Sequence, residues 1–127
     1  MFKYITDAPG APKAIGPYSQ AVVAGNMVFL SGQVPLDPNT GKIESTDIVD
    51  QTKQVMRNIE AVLASEALTF KTVVKTTIFL TDLAHFQKVN EVYEVALGSV
   101  KPARSTVQVA ALPRGAHVEI EMLALKS

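Results

Sequence analysis

One arginine stands at the head of a segment that otherwise has the residues of a β-strand. The stretch KPARSTVQV covers residues 101–109, and Arg104 precedes Val107 and Val109, which suit a pleated, half-buried surface. A guanidinium keeps its proton, so a partly buried arginine needs an anionic partner to offset its desolvation. That partner is either a carboxylate of the protein or a carboxylate carried by a ligand.

A second candidate is Glu119, in the strand-like segment that closes the chain. Side chains alternate across a strand, so Arg104 shares one side with Thr106 and Gln108, opposite the valines. If the apolar sides of both segments pack against helices, we expect Arg104 and Glu119 to point to the uncovered face of the sheet. A structural ion pair or a pair of solvated charges is the simpler interpretation of that arrangement.

The sequence distance between the two charges complicates the ion pair. In a simple hairpin that turns near Arg114, Glu119 would pair close to Ala110, and Arg104 would lie on the order of 20 Å further along at about 3.3 Å per residue. An ion pair would then require either another strand between the two segments or a second chain. Either arrangement leaves Arg104 available for a ligand carboxylate.

Three further sites have residues that are unusual for their surroundings. Tyr18 follows a Gly-Pro pair and is either presented by a loop or packed at the start of a strand. Ser31-Gly32 interrupts an apolar strand, which indicates either a β-bulge or the close approach of a ligand or another backbone. Asn90 lies among apolar helix positions, either as a buried structural amide or as a pocket contact.

Composition argues against several classes of site. The 127 residues include no cysteine, which removes disulfides, thiolate metal sites and cysteine nucleophiles. The histidines, His85 and His117, are far apart in sequence and the carboxylates do not cluster, so we expect no metal and no cofactor. GAPKAIG lacks the spacing of a phosphate-binding loop. Twelve basic and twelve acidic residues, with no paired histidines, make a nucleic-acid partner or RNA cleavage an unfavourable interpretation.

The chain has no segment that reads as a membrane or targeting element. No stretch approaches the ~20 apolar residues of a membrane helix, and the first residues lack the apolar core of a signal peptide. We therefore expect a cytoplasmic protein with no membrane partner. With 47% hydrophobic residues and no linker or repeat, residues 1–127 are predicted to form a single domain.

The periodicity of apolar residues predicts six strands and two helices. The predicted strands cover residues 2–6, Ser19–Ala24, Met27–Val34, 72–80, Arg104–Ala110 and Val118–Leu125. One helix is predicted from Asp47 to near Ala67, and another after Asp82 with Phe86 and Tyr93 in its apolar stripe. Two helices cannot cover both faces of such a sheet, so we expect an α+β domain whose second face is left to solvent or partner chains.

Several stretches of the chain resemble one known family nearly from end to end. They are IGPYSQ, FLSGQVPLDPNTG, VVKTTIFLTDLAHFQKVNEVYE and above all PARSTVQVAALPRGAHVEIEM. These stretches resemble the reactive-intermediate (enamine/imine) deaminases, the Rid, RidA-like or YjgF/UK114 family. The resemblance implies a fold like that of Bacillus-type chorismate mutase, with a mixed five- to six-stranded sheet and two helices on one face. It also implies a homotrimer with three clefts between subunits.

The same resemblance implies roles for individual residues. The family's carboxylate-binding arginine matches Arg104, its water-positioning glutamate matches Glu119 and its cleft tyrosine matches Tyr18, so these are the expected catalytic residues. The expected substrate-binding residues are Arg104, Ser31, Gly32, Asn90 and Thr106. Thr106 stands where members commonly carry a cysteine, so we expect that position to modulate the site and not to act as a nucleophile.

The implied activity is hydrolysis of reactive 2-enamino and 2-imino acids, such as 2-aminoacrylate and 2-iminobutyrate, to 2-oxo acids and ammonia. This is the reaction of a cofactor-independent 2-iminobutanoate/2-iminopropanoate deaminase. The resemblance also implies a functional link to the pyridoxal-phosphate-dependent threonine and serine dehydratases that release such compounds. The alternatives are a regulatory module that binds small carboxylates, and a ribonuclease, translation inhibitor or chaperone-like protein on the same fold.

Overall fold

The polypeptide forms six strands and two α-helices in the predicted order β-β-β-α-β-α-β-β. The computed structural model describes all 127 residues. The elements are β1 Phe2–Ile5, β2 Ala21–Ala24, β3 Met27–Gln33, α1 Ile48–Ala64, β4 Val73–Leu80, α2 Phe86–Leu97, β5 Ala103–Gln108 and β6 Val118–Leu125. Element types are therefore as predicted, and the differences are confined to the ends of the elements.

The strands form one mixed sheet in the order β1-β2-β3-β6-β4-β5. Neighbouring strands are antiparallel except for β4 and β5, which are parallel and are connected through α2. The β2–β3 hairpin turns at Gly25-Asn26, where Gly25 has a φ of 63° that disfavours residues with a side chain. β1 and β5 are the two edges of the sheet.

Both helices pack on one face of the sheet, as predicted, and the core lies between the two layers. α1 contacts β3, β6 and α2. Its fully buried residues Val55 and Ile59 belong to the same apolar cluster as Ile78 of β4 and Ile120 of β6. Burial of side chains of this size stabilises the fold by about 1.5–3 kcal/mol each. Neither helix is long and apolar enough to span a membrane.

The opposite face of the sheet, called the open face below, carries no helix. It exposes the large apolar side chains of Phe2, Tyr4, Phe29, Val107 and Leu125. The strand registers place these residues opposite the buried positions of their strands. Several exposed apolar side chains on one uncovered sheet face are typical of a face that binds another protein chain.

Helix α1 begins where the sequence predicts, whereas α2 begins later. The Asp47 carboxylate accepts a hydrogen bond of 3.0 Å from the Asp50 amide and caps α1. Asp82 caps a separate 3-10 turn by accepting a bond of 2.9 Å from the Ala84 amide, and α2 starts at Phe86. The second helix is consequently shorter than expected at its first turn.

A buried carboxylate ties both ends of the chain to the end of α1. The Glu66 side chain is 5% exposed and lies 2.8 Å from Lys3 Nζ and 2.9 Å from Lys126 Nζ. These hydrogen bonds from the two lysines lower the pKa of Glu66, against the opposing effect of its burial. The ionised form of Glu66 therefore stabilises the folded state.

Glu66→Gln should lower the free energy of unfolding by about 1–3 kcal/mol, because two ammonium groups lose their charged acceptor. The pKa of Glu66 is lowered on folding, so its contribution is present above the unfolded pKa and is lost as the pH falls through the folded pKa. Urea unfolding from about pH 7 down to about pH 3 measures the difference between the two proteins. Glu91→Gln, at an exposed position of α2, is the control. A difference that stays constant over this range would contradict the role.

Candidate functional site

Arg104 lies on the helix-bearing side of the sheet, beside α2. Its Nη1 donates a hydrogen bond of 2.6 Å to Asn90 Oδ1. Its guanidinium carbon lies 5.1 Å from the ring centroid of Tyr93 and 5.6 Å from that of Phe86, so both contacts are cation–π interactions. Residues 86, 90 and 93 share one side of the helix, and together they fix the position of the guanidinium.

This position contradicts the prediction that Arg104 points to the open face. The alternation along β5 is as predicted, but the two sides are exchanged, and Val107 is 41% exposed on the open face. The prediction assumed that apolar strand residues face the helices. That assumption fails for β5 because it is an edge strand, where the long stem of an arginine can pack on α2 while its charged head reaches the rim.

Arg104 has no carboxylate partner within the chain. The ion pairs of the structure involve Lys3, Lys13 and Lys126. β4 does lie between β5 and β6, as a pair with Glu119 would require, but the two side chains project from opposite faces of the sheet. The structural ion pair is therefore ruled out within one chain, and the charge of Arg104 is available to a group from outside it.

Three buried hydroxyl groups near Arg104 have no well-aligned hydrogen-bond partner within the chain. They belong to Thr76, Tyr93 and Thr106. Thr76 is paired with Arg104 across β4 and β5, and Thr106 lies two residues further along the same side of β5. Burial raises the pKa of Tyr93, against the opposing effects of the nearby Thr76 side chain and the Arg104 charge, so its hydroxyl stays protonated at neutral pH. Buried hydroxyls are normally paired, so such a group beside a free cation is typical of a site for a polar ligand.

A small cavity borders these residues. It has a volume of about 160 Å³, and Asn90, Tyr93 and Arg104 line it together with Glu94 and residues of the segment 97–102. Asn90 is thus both a hydrogen-bond partner of Arg104 and a residue of the cavity wall, so the structural and the pocket interpretations of this residue both apply. The contacts that Phe86 and Tyr93 make with Arg104 were not predicted from the sequence. Their spacing with Asn90 along one helix side was the available signal.

The other predicted residues form a second cluster on the open face. The Glu119 side chain lies against Gly32, where an added Cβ atom would overlap with the Glu119 carboxyl group. Gly32 also lies at a shift of register between β3 and β6, in agreement with the β-bulge interpretation, and the group that approaches it within the chain is a side chain, not a ligand or another backbone. Ser31 Oγ donates a bond of 2.6 Å to the Ser19 carbonyl, beside Tyr18, which is 53% exposed. A loop therefore presents Tyr18 near this cluster.

The surroundings of Glu119 favour the protonated form of its carboxyl group. Its partial burial raises its pKa, and the negative charge of Glu121 on the same face raises it further. A carboxylate whose pKa is raised toward the working pH is a better general base than an ordinary one. One cluster thus offers a fixed cation for a carboxylate, and the other offers a group for acid–base chemistry.

The two histidines are closer in space than their separation in sequence indicates. The ring centroids of His85 and His117 lie 6.5 Å apart, and His117 Nδ1 lies 3.4 Å from the Thr81 hydroxyl oxygen. The expectation that the chain has no histidine pair is wrong, because the turn after β4 brings His85 next to the start of β6. No third His, Asp or Glu side chain joins them in a group that could hold a metal ion.

Comparison with known proteins establishes the family. The model of the family described as endoribonuclease L-PSP matches residues 8–126. A 2-iminobutanoate/2-iminopropanoate deaminase of Mus musculus is 46% identical over 126 residues, which cover 99% of this chain and 93% of that protein. The chain belongs to the Rid family. The resemblance of its motifs to this family is thereby confirmed.

Two further proteins are similar to this chain over most of their length. Protein DfrA of Myxococcus xanthus is 58% identical over 117 residues, which cover 91% of this chain and 89% of that protein. The crystal structure of E. coli TdcF with bound serine matches with a TM-score of 0.91 and 42% identity, over 98% of this chain and 100% of that one. The sheet and helices described above are therefore those of Rid-family structures.

Glu121→Gln should lower the pKa of Glu119 toward its ordinary value, because the repulsion between the two carboxylates is removed while the burial remains. Carbon-13 NMR titration of the Glu119 carboxyl group measures the change. Glu91→Gln, on the exposed side of α2, is the matched control and should leave that pKa unchanged. An equal pKa of Glu119 in the Glu121→Gln and unmodified proteins would show that the two carboxylates do not interact.

Proposed function

We propose that the protein is a cofactor-independent hydrolytic deaminase that converts reactive 2-enamino and 2-imino acids to 2-oxo acids and ammonia. The observation that carries the proposal is Arg104, a guanidinium fixed by α2 with no carboxylate partner in its own chain. The Mus musculus relative is named for this activity, and the TdcF structure holds serine, an amino acid with a free carboxylate. The expected substrates are 2-aminoacrylate and 2-iminobutyrate.

In this proposal Arg104 binds the substrate carboxylate through two parallel N–H···O bonds. Such charge-assisted pairs are about twice as strong as neutral hydrogen bonds, and they fix the orientation of a planar group. The buried hydroxyl of Thr106, on the same side of β5, would add a further contact to the ligand. Tyr18 and the backbone at Ser31-Gly32 would hold the nitrogen end of the substrate.

Glu119 would act on the water that attacks the substrate. The imine carbon is already electrophilic, so placing a water molecule beside it supplies much of the catalysis. Glu119 takes a proton from the water as the C–O bond forms. The C=N π electrons pass to the nitrogen, which takes up a proton from solvent to give a carbinolamine. Glu119 then returns its proton to the amino group, the C–N bond breaks with loss of ammonia, and the hydroxyl group releases its proton to solvent as the C=O bond of the 2-oxo acid forms.

We further infer that the site lies between subunits of a homotrimer. Arg104 and Glu119 project from opposite faces of one sheet, so they can reach the same small molecule only if they belong to different chains. The apolar open face supports such an assembly, because it provides a surface for subunit contact. A trimer of the chorismate-mutase type would contain three equivalent clefts of this composition.

A regulatory module that binds small carboxylates is the second candidate, since it would need Arg104 equally. Glu119 separates the two, because a sensor has no use for a carboxyl group of raised pKa. The proximity of His85 and His117 favours a ribonuclease, because two histidines can act as acid and base. However, the chain has equal numbers of basic and acidic residues, so it offers no net positive charge for binding RNA. The deaminase therefore accounts for more of the site than either alternative.

The direct test is a coupled assay with a threonine dehydratase as the source of 2-iminobutyrate. Formation of 2-oxobutyrate is followed at constant dehydratase activity, with this protein and with a heat-denatured sample of it. The deaminase proposal expects faster formation with the native protein. An unchanged rate together with saturable binding of 2-oxobutyrate would contradict the deaminase and favour the regulatory module.

Arg104→Ala and Glu119→Gln should impair the protein in different ways. Arg104→Ala should raise the Kd for 2-oxobutyrate at least about tenfold, because charge-assisted hydrogen bonds contribute about 1.5–3 kcal/mol each. Its Tm should change little, since no carboxylate of the chain loses a partner. Arg104→Lys should restore binding only in part, because an ammonium lacks the planar fork.

Glu119→Gln should lower turnover and leave binding largely intact. Calorimetric titration and thermal unfolding distinguish the effects, and an Arg104→Ala protein that binds normally but melts early would contradict the role.

Mixing these two variants tests whether the site is shared between chains. In trimers refolded from equal amounts of Arg104→Ala and Glu119→Gln chains, about one quarter of the interfaces would receive both intact residues, one from each neighbour. Activity should therefore return to about one quarter of the unmodified value. Sedimentation equilibrium should give a trimer for every sample. A monomer at micromolar concentration, or mixed trimers without activity, would contradict the shared site.

A further inference from the structure

The contacts around Arg104 distinguish the edges of its guanidinium. Nη1 is hydrogen-bonded to Asn90 Oδ1 at 2.6 Å, whereas Nε and Nη2 have no acceptor within the chain. A carboxylate that accepts two parallel bonds needs two neighbouring N–H groups in one plane. The Nε–Nη2 edge offers such a pair without disturbing the bond to Asn90.

Two aromatic rings of α2 restrict the guanidinium further. The Tyr93 ring is nearly buried, with 6% exposure, and lies 5.1 Å from the guanidinium carbon. The Phe86 ring is 39% exposed and lies 5.6 Å from the same atom. Tyr93 is therefore part of the packed layer, while Phe86 borders the solvent side and contributes less to the core. A change at Phe86 can alter the orientation of Arg104 with little effect on folding.

We propose that Phe86, Asn90 and Tyr93 preorganise Arg104 so that its Nε–Nη2 edge binds a small planar carboxylate side-on, and that Phe86 is a positioning residue of the site. The inference rests on the proposed function, because it specifies how Arg104 anchors the substrate. Restricting the arginine before the ligand arrives lowers the entropy cost of binding. The electron-rich ring faces stabilise the cation without cancelling its charge.

The neutral amide at position 90 is a necessary part of this arrangement. Asn90 supplies an oxygen that accepts from Arg104 yet carries no negative charge. An aspartate at the same place would form an ion pair with the guanidinium and compete with the carboxylate of the ligand. The position therefore permits a test in which the fold is retained and the charge available to the ligand is removed.

Binding of 2-oxobutyrate to four variants tests the proposal. Phe86→Leu keeps an apolar side chain without a ring face and should raise the Kd about two- to fivefold, whereas Phe86→Tyr keeps the ring and should bind like the unmodified protein. Asn90→Asp should raise the Kd at least about tenfold while the Tm stays the same or increases. Val95→Ala, at an 85% exposed position on the other side of α2, is the control. A Phe86→Leu protein with an unchanged Kd would overturn the positioning role.

An NMR measurement separates a failure of this inference from a failure of the proposed function. The Arg104 side-chain Nε–Hε signal should show a ring-current shift and slow exchange in the ligand-free protein, and both should be reduced in Phe86→Leu but retained in Phe86→Tyr and Val95→Ala. If the unmodified protein shows this signal yet binds no 2-oxobutyrate, the proposed function fails and the preorganised arginine stands. If the signal is the same in Phe86→Leu as in the unmodified protein, the inference itself is wrong.

Discussion

The partly buried charge of Arg104 is the interaction on which the organisation of the site depends. A guanidinium cannot become neutral at any ordinary pH, so the groups around it must offset the loss of water. Here the offset comes from the Asn90 oxygen and from the ring faces of Phe86 and Tyr93. None of these groups is an anion, so the guanidinium has no counter-ion bonded to it within the chain, and the proposed function assigns that place to the carboxylate of a ligand.

The topology of the sheet explains how the arginine obtains these partners. β4 and β5 are parallel, and parallel neighbours require a crossover connection, which here contains α2. The helix that makes the β4–β5 pairing possible therefore also supplies the three side chains that hold Arg104. The same sheet separates Arg104 from Glu119, since the two residues leave opposite faces. One chain thus holds Arg104 and Glu119 on opposite faces, and the proposed function brings them together through a neighbouring chain.

Most of the fold was predictable because local patterns agree with the tertiary arrangement. Period-two and helical patterns, with turn residues between them, predicted the six strands, the two helices and the single covered face. The position of Gly32 was also predictable as a special one, since a glycine within an apolar strand has a packing reason. The side on which Arg104 lies was predicted wrongly because β5 is an edge strand, and the His85–His117 contact was missed because it joins segments distant in sequence.

The sequence by itself singled out the candidate site residues, because its motifs point to Arg104, Glu119 and Gly32. Strand alternation also sorts the side chains of each strand into two sets. Only the tertiary structure decided which set faces the helices, which strand lies between β5 and β6, and whether Arg104 finds a counter-ion. The physical reason is that alternation divides the side chains of a strand between two sides but does not determine which side packs against the helices. The neighbours on each side come from segments that only the strand order and the packing of α2 bring together.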